Sequence, residues 1–325
     1  MKLRSPWNDL IIDVNIREFA LPAILSTILF SAAAFLPPLG ILLSIFCPIP
    51  IILAYLYNGQ KIGILSLAVV ALLLFLVTNF QNSVIFVVEY GLVAVVISES
   101  IRRKYSVDKV VLLSLSAFFL LGGSLIYLLI LAKGINFSSF MGEEIKQAMA
   151  ASIEHYRDRG FSSDNIDQIK LYSEKIALIF IRSIPAWLVV SSSMGILLNY
   201  VLVKIIWNKY LGACDYFKNE ELEKWSVSDY FIWLIISSAI MLLVPLEGLN
   251  TIGLNLLIVF LLIFFYQGIA IVLFFMRKKT FPFFLRVIIY ILIIIQPFLL
   301  LLVTFFGIFD IWIDFRKIKG DKIQI

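Results

Sequence analysis

Long apolar runs alternate along the chain with short polar connections. Nine of them predict membrane-spanning helices, at residues 20–36, 39–57, 61–78, 82–100, 109–132, 176–204, 229–246, 252–276 and 283–307. These runs approach the ~20 residues a helix needs to cross a ~30 Å hydrocarbon core. Their apolar residues are continuous rather than alternating, which excludes an outer-membrane barrel. Backbone groups left unpaired in lipid are too costly, so each run reads as a helix. The expected fold class is all-α, a polytopic transmembrane helical bundle of about nine spans, with eight as the alternative. The polar segments divide it into an N-terminal segment 1–19, a six-span bundle 20–204 with an outer connection at 133–175, a connection 205–228, a three-span unit 229–316 and a polar tail 317–325.

Lysine and arginine orient these spans. With the N-terminus inside, the inner segments hold Arg17, Lys61, Arg102, Arg103, Lys104, Lys109, Lys204, Lys209, Arg277, Lys278 and Lys279. The short outer turns at 37–38, 79–81 and 247–251 hold neither residue type, as the positive-inside rule requires. The tail breaks the pattern. Nine spans put Arg316, Lys317, Lys319 and Lys322 outside, so either the tail departs from the rule or one C-terminal segment is re-entrant. At the other end, Arg4, Asp9, Asp13, Arg17 and Glu18 do not form a signal-peptide design, and the first run is expected to remain as an anchor. In the outer connection, Met141 to Arg159 reads as an amphipathic helix stopped at Gly160, a solvated cap carrying the sole histidine, His155.

Composition changes the picture in two ways. Of 325 residues, 61% are hydrophobic and 15% charged, where a soluble domain is roughly a quarter charged. The net charge of +5 suits loops facing an anionic leaflet better than a nucleic-acid footprint, since no basic block is interleaved with base-stacking aromatics. The lipid bilayer is the expected partner and nucleic acid is not. Cys47 lies in an apolar run and Cys214 in a basic connection, so neither a disulfide nor a metal cluster is expected. There is no GxxxxGK[ST] phosphate loop and no HExxH. Apart from Asp229, the first residue of the seventh, no Asp falls within the first eight runs, and Asp310 and Asp314, four apart among Ile, Trp and Phe, read as the end of an interfacial helix. The expectation is therefore no enzyme and no cofactor.

Several positions are candidates for function. Cys47-Pro48-Ile49-Pro50 sits near the middle of the second run, where Pro48 and Pro50 must kink or break the helix; broken helices at membrane depth often mark a binding site. Gly59 and Gly63 form a GxxxG, and Ala23, Thr27 and Ser31 form a small-residue stripe on the first run; both suit close helix packing. Two ionisable residues lie well inside spans. Glu89 and Arg182 are each about 10 Å below the outer interface at ~1.5 Å per residue, and intramembrane charges are functional candidates by default. They are expected to face one interior cavity, pairing there or sharing a small polar ligand, with Tyr90 and Asn255 at similar depth. The remaining amides, among them Asn199, Asn250, Gln267 and Gln296, read as helix glue.

Four stretches carry a resemblance: Trp225-Ser226-Val227-Ser228-Asp229-Tyr230, Ile252-Gly253-Leu254-Asn255-Leu256-Leu257, Gln267-Gly268, and Phe309-Asp310-Ile311-Trp312-Ile313-Asp314-Phe315-Arg316. In these the chain resembles the YybS-like family of predicted bacterial membrane proteins, which implies a multi-pass protein of the bacterial inner (cytoplasmic) membrane with no catalytic residues to carry over. The first six spans, with Pro48 and Pro50 followed by Gly59 and Gly63, look like the substrate-binding subunits of energy-coupling factor transporters. That likeness implies a solute site in the outer half of the bundle and separate ATPase and coupling subunits as partners. The three further spans depart from it, as does a first run that lacks an alanine-repeat docking motif. The expected function is small-solute binding in an outer-half polar cavity; the alternative is a membrane scaffold or assembly factor acting through its helices and cytoplasmic loops.

Overall fold

The computed structural model describes residues 15–36, 39–134, 163–212, 216–217 and 221–318, with isolated positions between 142 and 153. His155, Cys214, most of the expected Met141–Arg159 helix and the two chain ends lie outside the described residues. The described residues form helices: α1 (Ile16–Phe35), α2 (Leu39–Ser44), α3 (Pro48–Asn58), α4 (Gln60–Val77), α5 (Phe80–Phe86), α6 (Leu92–Arg102), α7 (Val107–Ala117), α8 (Gly123–Lys133), α9 (Ser163–Ile206), α10 (Phe231–Leu243), α11 (Glu247–Lys278), α12 (Phe283–Ile295) and α13 (Pro297–Ile313). Seven continuous or nearly continuous helical segments among them are long and apolar enough to cross a membrane, and α12 with α13 makes an eighth if that bent pair is one span. The chain is a polytopic helical membrane protein.

Contacts divide it into two compact units, residues 1–134 with 192–218, and 135–191 with 219–325. In the first unit, α1 packs against α2, α3 and α4. Ala23 and Ser26 are fully buried, and the Thr27 hydroxyl donates to the Ala23 carbonyl at 2.8 Å. The Ala23–Thr27–Ser31 stripe thus lies along the side of α1 that packs within the unit. The GxxxG divides into two roles. Gly59 occupies the turn between α3 and α4 at φ +92°, ψ 169°, a conformation essentially confined to glycine. Gly63 provides close packing, since a Cβ there would meet the Tyr55 side chain at 2.5 Å.

The second unit contains the first part of α9 and helices α10 to α13. Its α10 is a single helix of 13 residues, about 20 Å long and short for a span, where the apolar run had suggested one over 229–246. The run expected as a single span at 283–307 is broken. Gln296 is extended at φ −97°, ψ 106°, and α12 and α13 are bent by 101° at that point. Pro297 explains the break: it donates no hydrogen bond and disfavours the helical conformation of the residue before it. Helices α11 and α13 cross where Gly268 and Gly307 meet. A Cβ on Gly268 would land on the Val303 carbonyl, and one on Gly307 on the Phe264 carbonyl.

Polar contacts then set where the chain leaves α13. Arg316, just past α13, donates to the carbonyls of Glu223 and Trp225 at 2.7 and 2.8 Å, and Glu223 pairs with Arg277 at the end of α11. The chain therefore leaves α13 beside the connection that leads into α10. A straight ninth span would carry it to the opposite side; the bend at Gln296 turns it back.

Candidate functional site

In the first unit the site is built around a broken helix. Pro48 and Pro50 cannot donate to the carbonyls of Ser44 and Phe46. Those carbonyls turn to i+3 donors instead, Cys47 N–H at 3.0 Å and Ile49 N–H at 3.1 Å. That shift frees the Ile45 carbonyl, which accepts from the Asn199 side chain at 2.9 Å. The Ser26 hydroxyl donates to the Cys47 carbonyl at 2.9 Å. Pro48 opens α3 at its first turn, where its missing N–H costs nothing. The break is thus a built feature whose exposed backbone is satisfied by α1 and α9.

Glu89 and Tyr90 stand beside it on a second irregularity. Residues Val87–Gly91 form a π-helical turn between α5 and α6, closed by Leu92 N–H donating to the Val87 carbonyl. Phe118–Gly122 forms another between α7 and α8, and the two turns pack together. Such bulges are frequent at functional sites. Glu89 lies nine residues into the Phe80–Arg102 span, about 13 Å from its end. Its side chain is exposed on the surface of the unit. Its charge acts on both Cys47 and Tyr90, and the Tyr90 hydroxyl is within hydrogen-bond reach of Ser44. The Tyr90 ring stacks on Phe86 at 5.9 Å and meets Phe30 edge-on at 5.9 Å. Among the described residues of the unit, no hydrogen-bond donor and no cation pairs with the Glu89 carboxylate.

Arg182 and Asn255 belong to the second unit. The Asn255 carboxamide bridges two backbone groups of α9, accepting from Ala186 N–H at 2.8 Å and donating to the Arg182 carbonyl at 2.8 Å. It also donates to the Thr251 carbonyl at 2.8 Å. Both of its N–H groups are committed to backbone next to Pro185, so Asn255 acts as helix glue. The Arg182 side chain is partly buried.

A polar centre not expected from the sequence occupies the second unit. Asp310, Gln267 and Arg316 are 3%, 2% and 5% exposed. The Asp310 carboxylate accepts from Arg316 Nη2 at 2.7 Å, Gln267 Nε2 at 3.0 Å and Phe315 N–H at 2.9 Å. Gln267 Oε1 accepts from Val227 N–H at 3.1 Å. Asp314 does close the helix, ending α13 in the left-handed region at φ 45° and accepting from Ile318 N–H at 3.0 Å. Asp310 is instead buried, because Arg316 folds back over it. The sequence signal was the cation six residues after the acid, beyond a helix end. A crevice of about 20 Å³ opens onto this centre between Ser226, Asp229, Gln267, Asp310, Asp314 and Arg316, room for about one water. Among the described residues, no group of three His, Cys, Asp or Glu is placed to hold a metal ion.

No curated protein and no solved structure matches the chain. A protein-family match runs from residue 24 to residue 311, which takes in the second half of α1, the broken helix, the Glu89 turn, the crossing of α11 with α13 and Asp310. Over that range the chain belongs to the family described as predicted membrane protein (DUF2232).

Proposed function

We propose that this membrane protein binds a small polar solute in its first unit, where the Cys47–Pro50 break faces the Glu89 turn, and that it catalyses no reaction itself. The observation that carries this reading is the Glu89 carboxylate. It lies at membrane depth, beside a broken span, without a partner among the described residues of its unit. A charge in hydrocarbon costs several kcal/mol unless paired or hydrated, so a carboxylate held there by a π-helical turn points to a guest that meets it. The likeness of the first six spans to energy-coupling factor substrate-binding subunits leads to the same region, and on this reading separate ATPase and coupling subunits complete a transporter. On this reading the protein sits in a bacterial cytoplasmic membrane, and the lysine and arginine bias supports an N-terminus inside.

Thermal unfolding of the detergent-solubilised chain tests the proposal against a panel of vitamins, amino acids, nucleobases, amines and divalent cations. One class should raise the midpoint, and Glu89→Gln should abolish the rise. If no member of the panel shifts the midpoint while other membrane proteins co-purify in fixed ratio, the scaffold reading takes its place.

A further inference from the structure

We infer that the solute taken at this site is a protonated amine, an organic cation that brings its own N–H donors. The inference rests on the binding role proposed above and narrows it to a chemical class. Three observations converge. First, the site offers acceptors in search of donors. Glu89 has no donor among the described residues of its unit, and Asn199 Oδ1, on the α9 flank of the break, is buried without a hydrogen-bond partner. Asn199 is 2% exposed, and its two N–H groups go to the Ile45 and Gly195 carbonyls at 2.9 and 2.8 Å, leaving the oxygen over.

Second, no cation competes for the carboxylate among the described residues of this unit. The basic residues of this unit whose side chains are described, Arg17, Lys61, Arg102, Arg103, Lys104, Lys109, Lys204 and Lys209, all sit near helix ends or in connections. Glu89 lies in mid-span. A guest that neutralises the carboxylate must therefore bring the positive charge, whereas an anionic guest would add to the negative charge.

Third, the surrounding groups suit an organic cation better than a metal ion. Phe30, Phe86 and Tyr90 pack edge-to-face and stacked next to Glu89, with Phe30 and Phe86 at 5.4 Å. Aromatic rings beside a carboxylate are a common environment for ammonium groups. A chelated metal wants several oxygen, nitrogen or sulfur ligands at ~2.0–2.6 Å, and no such group is placed among the described residues.

The test uses the full chain in detergent at neutral pH. Ethanolamine, putrescine and spermidine are the amine probes, 1,4-butanediol is the uncharged counterpart of putrescine, and succinate, Mg²⁺ and Zn²⁺ are the comparators. At saturation one or more amines should raise Tm by about 3 °C or more, and butanediol should leave it unchanged. Glu89→Gln should abolish the rise, and Glu89→Asp, which keeps the charge, should retain part of it. The unliganded Tm of each variant shows that it folds. A Glu89-dependent rise with a metal ion and not with amines overturns the amine class in favour of an inorganic cation. A rise with neutral or anionic solutes that survives Glu89→Gln overturns the cation class and leaves solute binding standing. No rise with these probes or with any member of the wider panel overturns both.

Discussion

Asn255 and Asp310 are both polar side chains at membrane depth, and their partners give them different weights. The Asn255 carboxamide ties α11 to α9 through two neutral hydrogen bonds at 2.8 Å and makes a third, also at 2.8 Å, within α11 to the Thr251 carbonyl. Interhelical bonds of this kind in membranes contribute about 0.6 kcal/mol on average and about 1.7 at most. Asn255→Leu should therefore lower stability by about 1 kcal/mol, read as a small fall in Tm. Asp310 and Arg316 form a buried ion pair, and removing one partner strands the other charge at a cost of about 3–5 kcal/mol. Arg316→Met should be severely destabilising. Adding Asp310→Leu to Arg316→Met should restore part of the loss, because no charge is then left buried. A double variant less stable than Arg316→Met alone would show that the pair is not the source of the effect. Asp310 was misread from its neighbours because burial depends on Arg316, which lies beyond the helix and reaches back to it.

At the scale of elements, glycine and proline decide where helices stop, bend and touch. The break at Pro48 and Pro50 was legible in the sequence, since proline cannot donate in a helix wherever it stands. Its stabilisers were not: Ser26 and Asn199 lie 21 and 154 residues from their acceptors, and nothing local links them. The crossing of α11 with α13 depends on two glycines that the apolar pattern does not distinguish from the rest. Gly268→Val should lose about 3 kcal/mol, the upper range for overpacking, because the added atoms meet the Val303 backbone. Gly195→Ala makes the control. A Cβ there meets nothing within 4 Å, and alanine is the better helix former by about 0.5–1 kcal/mol. Tm should hold or rise slightly. Equal losses at both positions would remove the crossing as the explanation.

For the whole molecule, the side on which the chain leaves α13 follows from the bend at Gln296 and the grip of Arg316 on the 223–225 backbone. In a background without Cys47 and Cys214, cysteines placed at Lys279 and Lys317 should react with a membrane-impermeant reagent from the same face of sealed vesicles. Labelling from opposite faces would restore the ninth span. The same geometry sets Arg316 beside the Glu223–Arg277 pair at the end of α11, and a bent C-terminal segment is compatible with one of the two alternatives that the lysine and arginine distribution had left open.

Apolar length and continuity, which are local properties of the chain, were enough to determine that this protein is helical, membrane-embedded and many times spanning, and roughly where most spans lie. Proline chemistry, also local, placed the break at Cys47–Pro50. Tertiary structure alone decided the roles of the polar residues. Glu89 and Asn255 look alike in sequence, each a polar group inside an apolar run, and Asp310 follows the last run by three residues. One is left without a partner in its unit, one is saturated by backbone and one is held by a folded-back arginine. The difference lies in partners distant along the chain, and only packing brings those within reach.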